Sequence, residues 1–429
     1  MKRKGENALQ RSRSDQMVRG YFLLFAASLI LTVVGMLMTH GRSFTDTLFY
    51  NYRGNGDTFM DFYNSMRDAG TKQVYKNGVI YPPLANLFFF LLSKFVDPKL
   101  IALPYEQRFE LQTDTVCRII IVVYLIVCLV PILLMLQKKA KSFCSFPAAW
   151  GLAIALVLSY PMIYCIQRGN LLLLSMALSM FFVFYRGDKR KWVRELSLIA
   201  LAIAAGFKLY PAVLGLLLVR EKEYKRALRL IVYGLVFTVL PFFFYDGFDS
   251  MRDLAVNLQA FSEAKKLSPA YVTTDVFATY ITMVLPVRFS IAHWLLFLPT
   301  MAAAAAMSFL CEEEWKRVFC LAYLFMNLNS SGQTYILIFL LIPFVLFLKG
   351  SERRKTDWLY FLLFVLLLIA IPVLYYRLIN PNGEVLLETR KFMVRPNQLL
   401  AAPALHGMLL TVTVETIVTL IKKHIKEEV

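Results

Sequence analysis

Seven long apolar runs constrain this chain more than anything else in its sequence. They are Tyr21 to Thr39, Ile119 to Leu136, Phe146 to Ile166, Leu230 to Tyr245, Ile291 to Cys311, Trp358 to Tyr376 and Leu399 to Ile421. Each approaches the roughly 20 residues a helix needs to cross a hydrocarbon core of about 30 Å, where backbone polar groups must be satisfied within the segment. The apolar fraction of 58% with only 18% charged residues fits the same conclusion, because soluble domains carry about 25% charge. The chain is therefore expected to be an all-α polytopic membrane protein.

The net charge of +18 could suggest a nucleic-acid partner, but the cations form no single stripe. They fall into short clusters between the apolar runs: Lys2 to Arg13, Lys138 to Lys141, Arg186 to Arg194, Arg220 to Arg229, Lys349 to Lys355 and Lys422 to Lys426. Placing all of them in the cytoplasm gives a consistent thread with both termini inside. The expected partner is the lipid bilayer, with no nucleic acid. Residues 1–16 read as a disordered basic cytoplasmic tail and 17–429 as a single polytopic domain. Its outer loops cover about 40–114, 246–288 and 377–397, with short surface helices in the second.

Two short segments break the pattern of full spans. Leu84 to Phe95 is apolar over only about 12 residues and follows Pro82-Pro83, which suits an interfacial or re-entrant helix on the outer face. Leu196 to Phe207 and Ala212 to Val219 flank Lys208-Leu209-Tyr210-Pro211 and have basic clusters at both ends. Two short helices meeting near Lys208 and Pro211 keep both clusters inside, with a lysine at the tip. Irregular backbone at membrane depth is tolerated where it is buried or lines a cavity, and an ionisable residue there marks function. Counting this pair, about twelve membrane helices are expected.

The first outer loop carries Gly56-Asp57-Thr58-Phe59-Met60-Asp61-Phe62-Tyr63-Asn64-Ser65. Asp57 and Asp61 are four apart and would share one face of a helix. Neighbouring carboxylates push each other's proton affinities apart, which suits one of them to general base work. Arg168 in the tight turn Gln167-Arg168-Gly169-Asn170, and Lys208, are cations placed to bind a phosphate. Tyr63, Tyr81, Asn170, Tyr210, Gln333 and Tyr335 supply the aromatic and hydrogen-bonding surface a sugar needs. Glu415, inside the last run, is expected to pair with nearby cytoplasmic lysines.

The six cysteines lie within or at the ends of apolar runs without metal-ligand spacing and read as packing residues. No protein-built metal site is apparent, no cofactor is evident, and whether a divalent ion assists is left open. The chain carries no GxxxxGK[ST] loop, no GxGxxG and no serine elbow. A membrane enzyme built this way needs a donor already activated on a lipid.

Taken in order, GDTFMDFYNS, Tyr75, YPPLANLFFF, RGNLLLL at 168–174 and FKLYP at 207–211 resemble the polytopic glycosyltransferases of the GT-C type. They are most similar to glycosyltransferase family 87, which includes polyprenyl-phosphate-mannose-dependent mannosyltransferases. The resemblance covers about residues 20–340. The late outer turn departs from it, reading NSSGQTYI at 329–336 without the family's histidines. The resemblance implies an inverting hexosyltransferase of a bacterial-like plasma membrane, active on the extracytoplasmic face. Its donor would be a polyprenyl-phosphate hexose such as mannose, and its acceptor a glycan or glycolipid. An outer-loop Asp would be the base, and the spacing to Tyr75 puts Asp57 slightly ahead of Asp61. Two other classes remain open, a transporter or flippase of lipid-linked sugars and a non-enzymatic subunit of an envelope complex.

Overall fold

The computed structural model describes residues 2–49, 56–264, 271–328, 333–350, 356–373, 377–379, 382, 385–388 and 395–428. The chain is built from helices: α1 (Lys2–Met38), α2 (Arg42–Leu48), α3 (Met60–Asp68), α4 (Pro83–Ser93), α5 (Pro98–Ile101) and α6 (Thr115–Ala140). Next come α7 (Phe146–Val157), α8 (Tyr160–Arg168), α9 (Leu172–Tyr185), α10 (Lys191–Phe207), α11 (Leu216–Arg220) and α12 (Tyr224–Val239). They are followed by α13 (Phe248–Ala264), α14 (Thr274–Val284), α15 (Phe289–Leu310), α16 (Glu314–Leu328), α17 (Leu341–Lys349) and α18 (Asp357–Leu368). A small antiparallel hairpin, β1 (Arg377–Ile379) with β2 (Val385–Glu388), precedes the last helix, α19 (Pro396–Glu428).

Among the described residues, five helices are long and apolar enough to cross a membrane: Ser14–Met38, Thr115–Ala140, Tyr224–Phe244, Phe289–Leu310 and Pro396–Ile425. Their outward faces are exposed and apolar, as Leu23 (72%), Ile119 (58%), Leu228 (63%) and Leu295 (68%) show, which is the surface lipid would cover. The core packs between the helices instead, around Tyr21, Tyr323, Phe319, Phe325, Phe339 and Phe344. All six cysteines are buried free thiols, in keeping with a packing role.

Several expectations are corrected. The run Phe146 to Ile166 is a pair of helices bent by 53° rather than one straight span. Ser159 is extended (φ −65°, ψ 154°) and Pro161 follows in the first turn of α8, where its missing N–H and its ring cannot continue the preceding helix. With that pair counted as one, the spans among the described residues number up to six, and five further apolar helices are 10–17 residues long, so length and composition establish at most six of the twelve membrane helices expected.

Among the described residues, the run Trp358 to Tyr376 yields only the 12-residue α18. Asn397 holds the chain beyond it in a non-helical path, accepting from the Ile371 N–H (2.7 Å) and donating to the Ile369 carbonyl (2.8 Å). The basic tail, expected to be disordered, continues the first helix from Lys2. No strands were expected in 377–397, where the β hairpin lies.

Other readings hold. α4 is an 11-residue helix with proline in its first turn. α10 ends at Phe207, Lys208 is extended (φ −147°, ψ 117°), and a 3-10 turn over Tyr210–Gly215 leads into α11. The two arms form a hairpin, because the Arg186 guanidinium beyond α9 reaches Glu221 after α11 (2.7 Å) and Glu314 (2.8 Å).

Described residues in or next to three other basic clusters lie at the same end of the bundle. Ser14 donates to the Leu348 carbonyl at 2.9 Å, Lys138 lies 5.1 Å from the Tyr185 ring, and Lys423 is 3.9 Å from Glu312. Glu415 does pair with a lysine, but it is Lys316 (3.0 Å), distant in sequence, with the Tyr360 hydroxyl at 2.6 Å.

Candidate active site

The acidic loop is pinned before α3 begins. The Gln112 side chain donates to the Gly56 carbonyl (3.0 Å) and the Thr58 carbonyl (2.7 Å), while the Phe59 N–H donates to the Gln167 carbonyl (2.6 Å). Phe59 itself has φ +60°, a left-handed conformation that costs a residue with a side chain on the order of 1–3 kcal/mol. The strain is offset by these bonds and turns the chain so that Asp57 lies ahead of the helix and Asp61 in its first turn. The expectation that the two acids share a helical face is thus corrected, since only Asp61 is helical.

Arg168 joins them instead. It ends α8, and Gly169 follows at φ +64°. A Cβ on Gly169 would lie 3.0 Å from the Phe62 Cβ and 3.2 Å from the Phe59 Cα, so only glycine lets the turn press against α3. Arg168 then sends Nη1 to Asp57 Oδ2 at 2.7 Å and Nη2 to Asp61 Oδ1. Asn170 donates to the other Asp61 oxygen at 2.8 Å and caps α9 by accepting from the Leu172 N–H at 3.0 Å. The Tyr124 hydroxyl holds the Asn170 carbonyl at 2.8 Å. Asp61 is therefore oriented through both oxygens, with 17% of its side chain exposed against 22% for Asp57.

A second wall comes from Lys208, whose Nζ sits 3.9 Å from the centre of the Tyr81 ring. Tyr81 is positioned by Tyr75, which donates to its carbonyl at 3.1 Å and packs its own ring against Phe242 and Tyr245. Burial first and the Asp61 charge second push the Tyr81 phenol well above its ordinary value, leaving it a neutral hydrogen-bonding group. Lys208 is within electrostatic reach of Asp61.

The third wall is Tyr335, which lies within electrostatic reach of the Asp61 carboxylate. The Tyr164 ring meets the Tyr335 ring at 5.5 Å, and its hydroxyl donates to Gln333 Oε1 at 2.9 Å. Tyr210 stacks on Phe325 at 5.5 Å.

Asp57, Asp61, Arg168, Asn170, Lys208, Tyr81, Tyr210, Gln333 and Tyr335 thus belong to one region. Tyr63 does not join them; it is 1% exposed and its hydroxyl turns to the Cys117 carbonyl at 3.4 Å. Residues 329–332 of the late outer turn lie outside the described residues. Among the described residues no group of three or more His, Cys, Asp or Glu side chains could hold a metal ion. Sequence reasoning missed Gln112, Tyr124 and Tyr164. Tyr164 alone carried a signal, standing four residues before Arg168 and so on its helical face.

The pattern of glycosyltransferase family 87 matches residues 80–331, well over half of the 429 residues. The chain belongs to glycosyltransferase family 87. This family 87 chain is thus a membrane glycosyltransferase, as the ordered motifs implied. The matched segment contains Tyr81, Arg168, Asn170, Lys208 and Tyr210, while the two acids precede it and Gln333 and Tyr335 follow it. No curated protein and no solved structure matches the family 87 chain significantly.

Proposed function

We propose that this glycosyltransferase moves a hexose, mannose among the candidates, from a polyprenyl-phosphate donor to an extracytoplasmic glycan or glycolipid acceptor with inversion. The observation that carries the proposal is Asp61, fixed by Arg168 and Asn170 and grouped with Lys208, Tyr81 and Tyr335. A carboxylate oxygen keeps a second lone pair after one hydrogen bond, so Asp61 can still accept the proton of an acceptor hydroxyl. That hydroxyl oxygen attacks the anomeric carbon as the bond from carbon to the phosphate oxygen breaks. The electron pair leaves with polyprenyl phosphate, and the proton stays on the carboxylate.

Lys208 is the cation set to stabilise the charge growing on the leaving phosphate. Arg168, expected from sequence to share that task, is committed to the two carboxylates and acts by positioning them. The geometry moves the preference for the base from Asp57 to Asp61, with Asp57 sharing the same guanidinium. Tyr81, Tyr210, Tyr335 and Gln333 line the sugar site.

The gathering of basic clusters at one end supports a plasma-membrane topology with both termini cytoplasmic and the acids on the far face. In this reading residues 17–429 act as one domain of GT-C type. The test is a proteoliposome assay with labelled polyprenyl-phosphate mannose and polyprenyl-phosphate glucose. The expected result is a new glycoside formed in step with free polyprenyl phosphate. Passage of the lipid-linked sugar across the bilayer without a glycosidic bond would overturn it in favour of a transporter.

A further inference from the structure

Helix α3 reaches beyond the acids to a cavity at its other end. Asp68 is seven residues after Asp61, two helical turns, so it returns to nearly the same face about 10 Å along the axis. There a cavity of about 460 Å³ is lined by Arg67, Asp68, Thr71, Asn77, Ser93 and Lys94, over an apolar floor that includes Ile101.

Asp68 Oδ1 accepts from Arg67 Nε (3.1 Å) and Nη2 (2.6 Å). The remaining Arg67 Nη1 is buried with no hydrogen-bond partner among the described residues. A buried donor left this way costs about 1–3 kcal/mol, more on a charged group, which points to an oxygen-bearing ligand that completes it. The Arg67 guanidinium is held in place by the Tyr105 ring at 5.0 Å.

Lys94, beside it at the end of α4, lies 4.0 Å from the Phe90 ring and makes no ion pair among the described residues. Two cations against one carboxylate select an anion, and hydroxyl and amide donors from Thr71 and Asn77 suit phosphate oxygens, while the Ser93 hydroxyl is turned to the Phe90 carbonyl at 2.7 Å. Leu91 (56%) in the last turn of α4 and Phe95 (72%) just past it are exposed, apolar neighbours in sequence of the lining residues Ser93 and Lys94. That juxtaposition is the shape of a lipid headgroup with its chains.

We infer that this cavity binds the phosphate of an anionic phospholipid, with Arg67 and Lys94 on the phosphate oxygens and the acyl chains along Leu91 and Phe95. The bound lipid ties α3 to α4 and so steadies the helix that carries Asp61. The consequence for transfer rests on the proposed function, but lipid binding does not, and the two can fail separately.

The test is native mass spectrometry of the full chain released from nanodiscs of phosphatidylcholine with and without phosphatidylglycerol, repeated with added inorganic phosphate. Phosphatidylglycerol should be retained about thirtyfold more tightly than phosphatidylcholine, as two cations near a membrane surface would give. Arg67→Gln with Lys94→Gln should abolish the preference, and inorganic phosphate should not compete. Lys94→Gln alone, at an exposed position that does not threaten folding, should reduce it. Equal retention of both lipids, or a preference that survives the double variant, overturns the inference. Full competition by inorganic phosphate would overturn the lipid as the source of the phosphate group.

Discussion

Helix α9 runs between two sets of partly buried charges, and its 14 residues separate them by about 20 Å. At one end lie Asp57, Asp61 and Arg168. At the other Arg186 bridges Glu221 and Glu314, and nearby Lys316 bridges Glu313 (2.8 Å) and Glu415 (3.0 Å). The chemistry of the groups is the same, but the backbone under them differs.

The second set joins helix ends and short turns to Glu415 inside α19, with the left-handed Lys222 (φ 59°) next to Glu221. The first is assembled where helices stop: Phe59 and Gly169 are left-handed, Lys208 is extended, and 3-10 turns at Tyr210–Gly215 and Thr334–Leu340 bring in aromatics. The second set staples helices to one another, whereas the first gathers where α8 and α10 break off and α3 begins, and forms the candidate site.

The sharpest way to break this comparison is to cut a staple. Lys316→Met leaves Glu313 and Glu415 without their cation and should cost about 3–5 kcal/mol of stability, read as a lower melting temperature in detergent. Turnover per folded molecule should stay normal; a variant of normal stability but impaired transfer would erase the distinction between the two ends. Next in size, Lys208→Gln should lower kcat about a hundredfold with little change in melting temperature. An unchanged kcat would remove Lys208 from the proposed phosphate site.

Gly169→Ala combines a left-handed residue with a Cβ pressed on Phe62 and Phe59. It should cost about 1–2 kcal/mol from the backbone alone and lower activity as well, because the same turn aims Arg168. Smallest of all, Asn170→Ala removes one hydrogen bond to Asp61. It should lower kcat/KM by about tenfold, the equivalent of roughly 1.4 kcal/mol, at the upper end for an ordinary hydrogen bond.

Local signals in the sequence were enough to find the helical membrane class, the α4 segment and the break at Lys208. Pro82-Pro83 and Lys208-Leu209-Tyr210-Pro211 interrupt apolar runs, and the basic clusters on either side of the break left only a hairpin. The composition of the site was legible for the same reason, since polar and aromatic residues stand out against an apolar background.

Its wiring was not. Arg168 meets Asp57 and Asp61 across 111 and 107 residues, and nothing local distinguishes a phosphate-binding arginine from one that orients carboxylates. Tyr63 looked like its neighbours in the loop, but its register on α3 turns it into the core. The early end of α18 depends on Asn397, a capping side chain 28 residues beyond the Ile369 carbonyl it holds, which no window over the apolar run could reveal.

The most direct test of the central claim is steady-state transfer by Asp61→Asn and Asp57→Asn in the same proteoliposomes, with melting temperatures measured alongside. Asp61→Asn should lose activity by about a thousandfold, in the range for a lost general base, while remaining folded, and Asp57→Asn should lose less. Near-normal turnover by a folded Asp61→Asn would contradict the account.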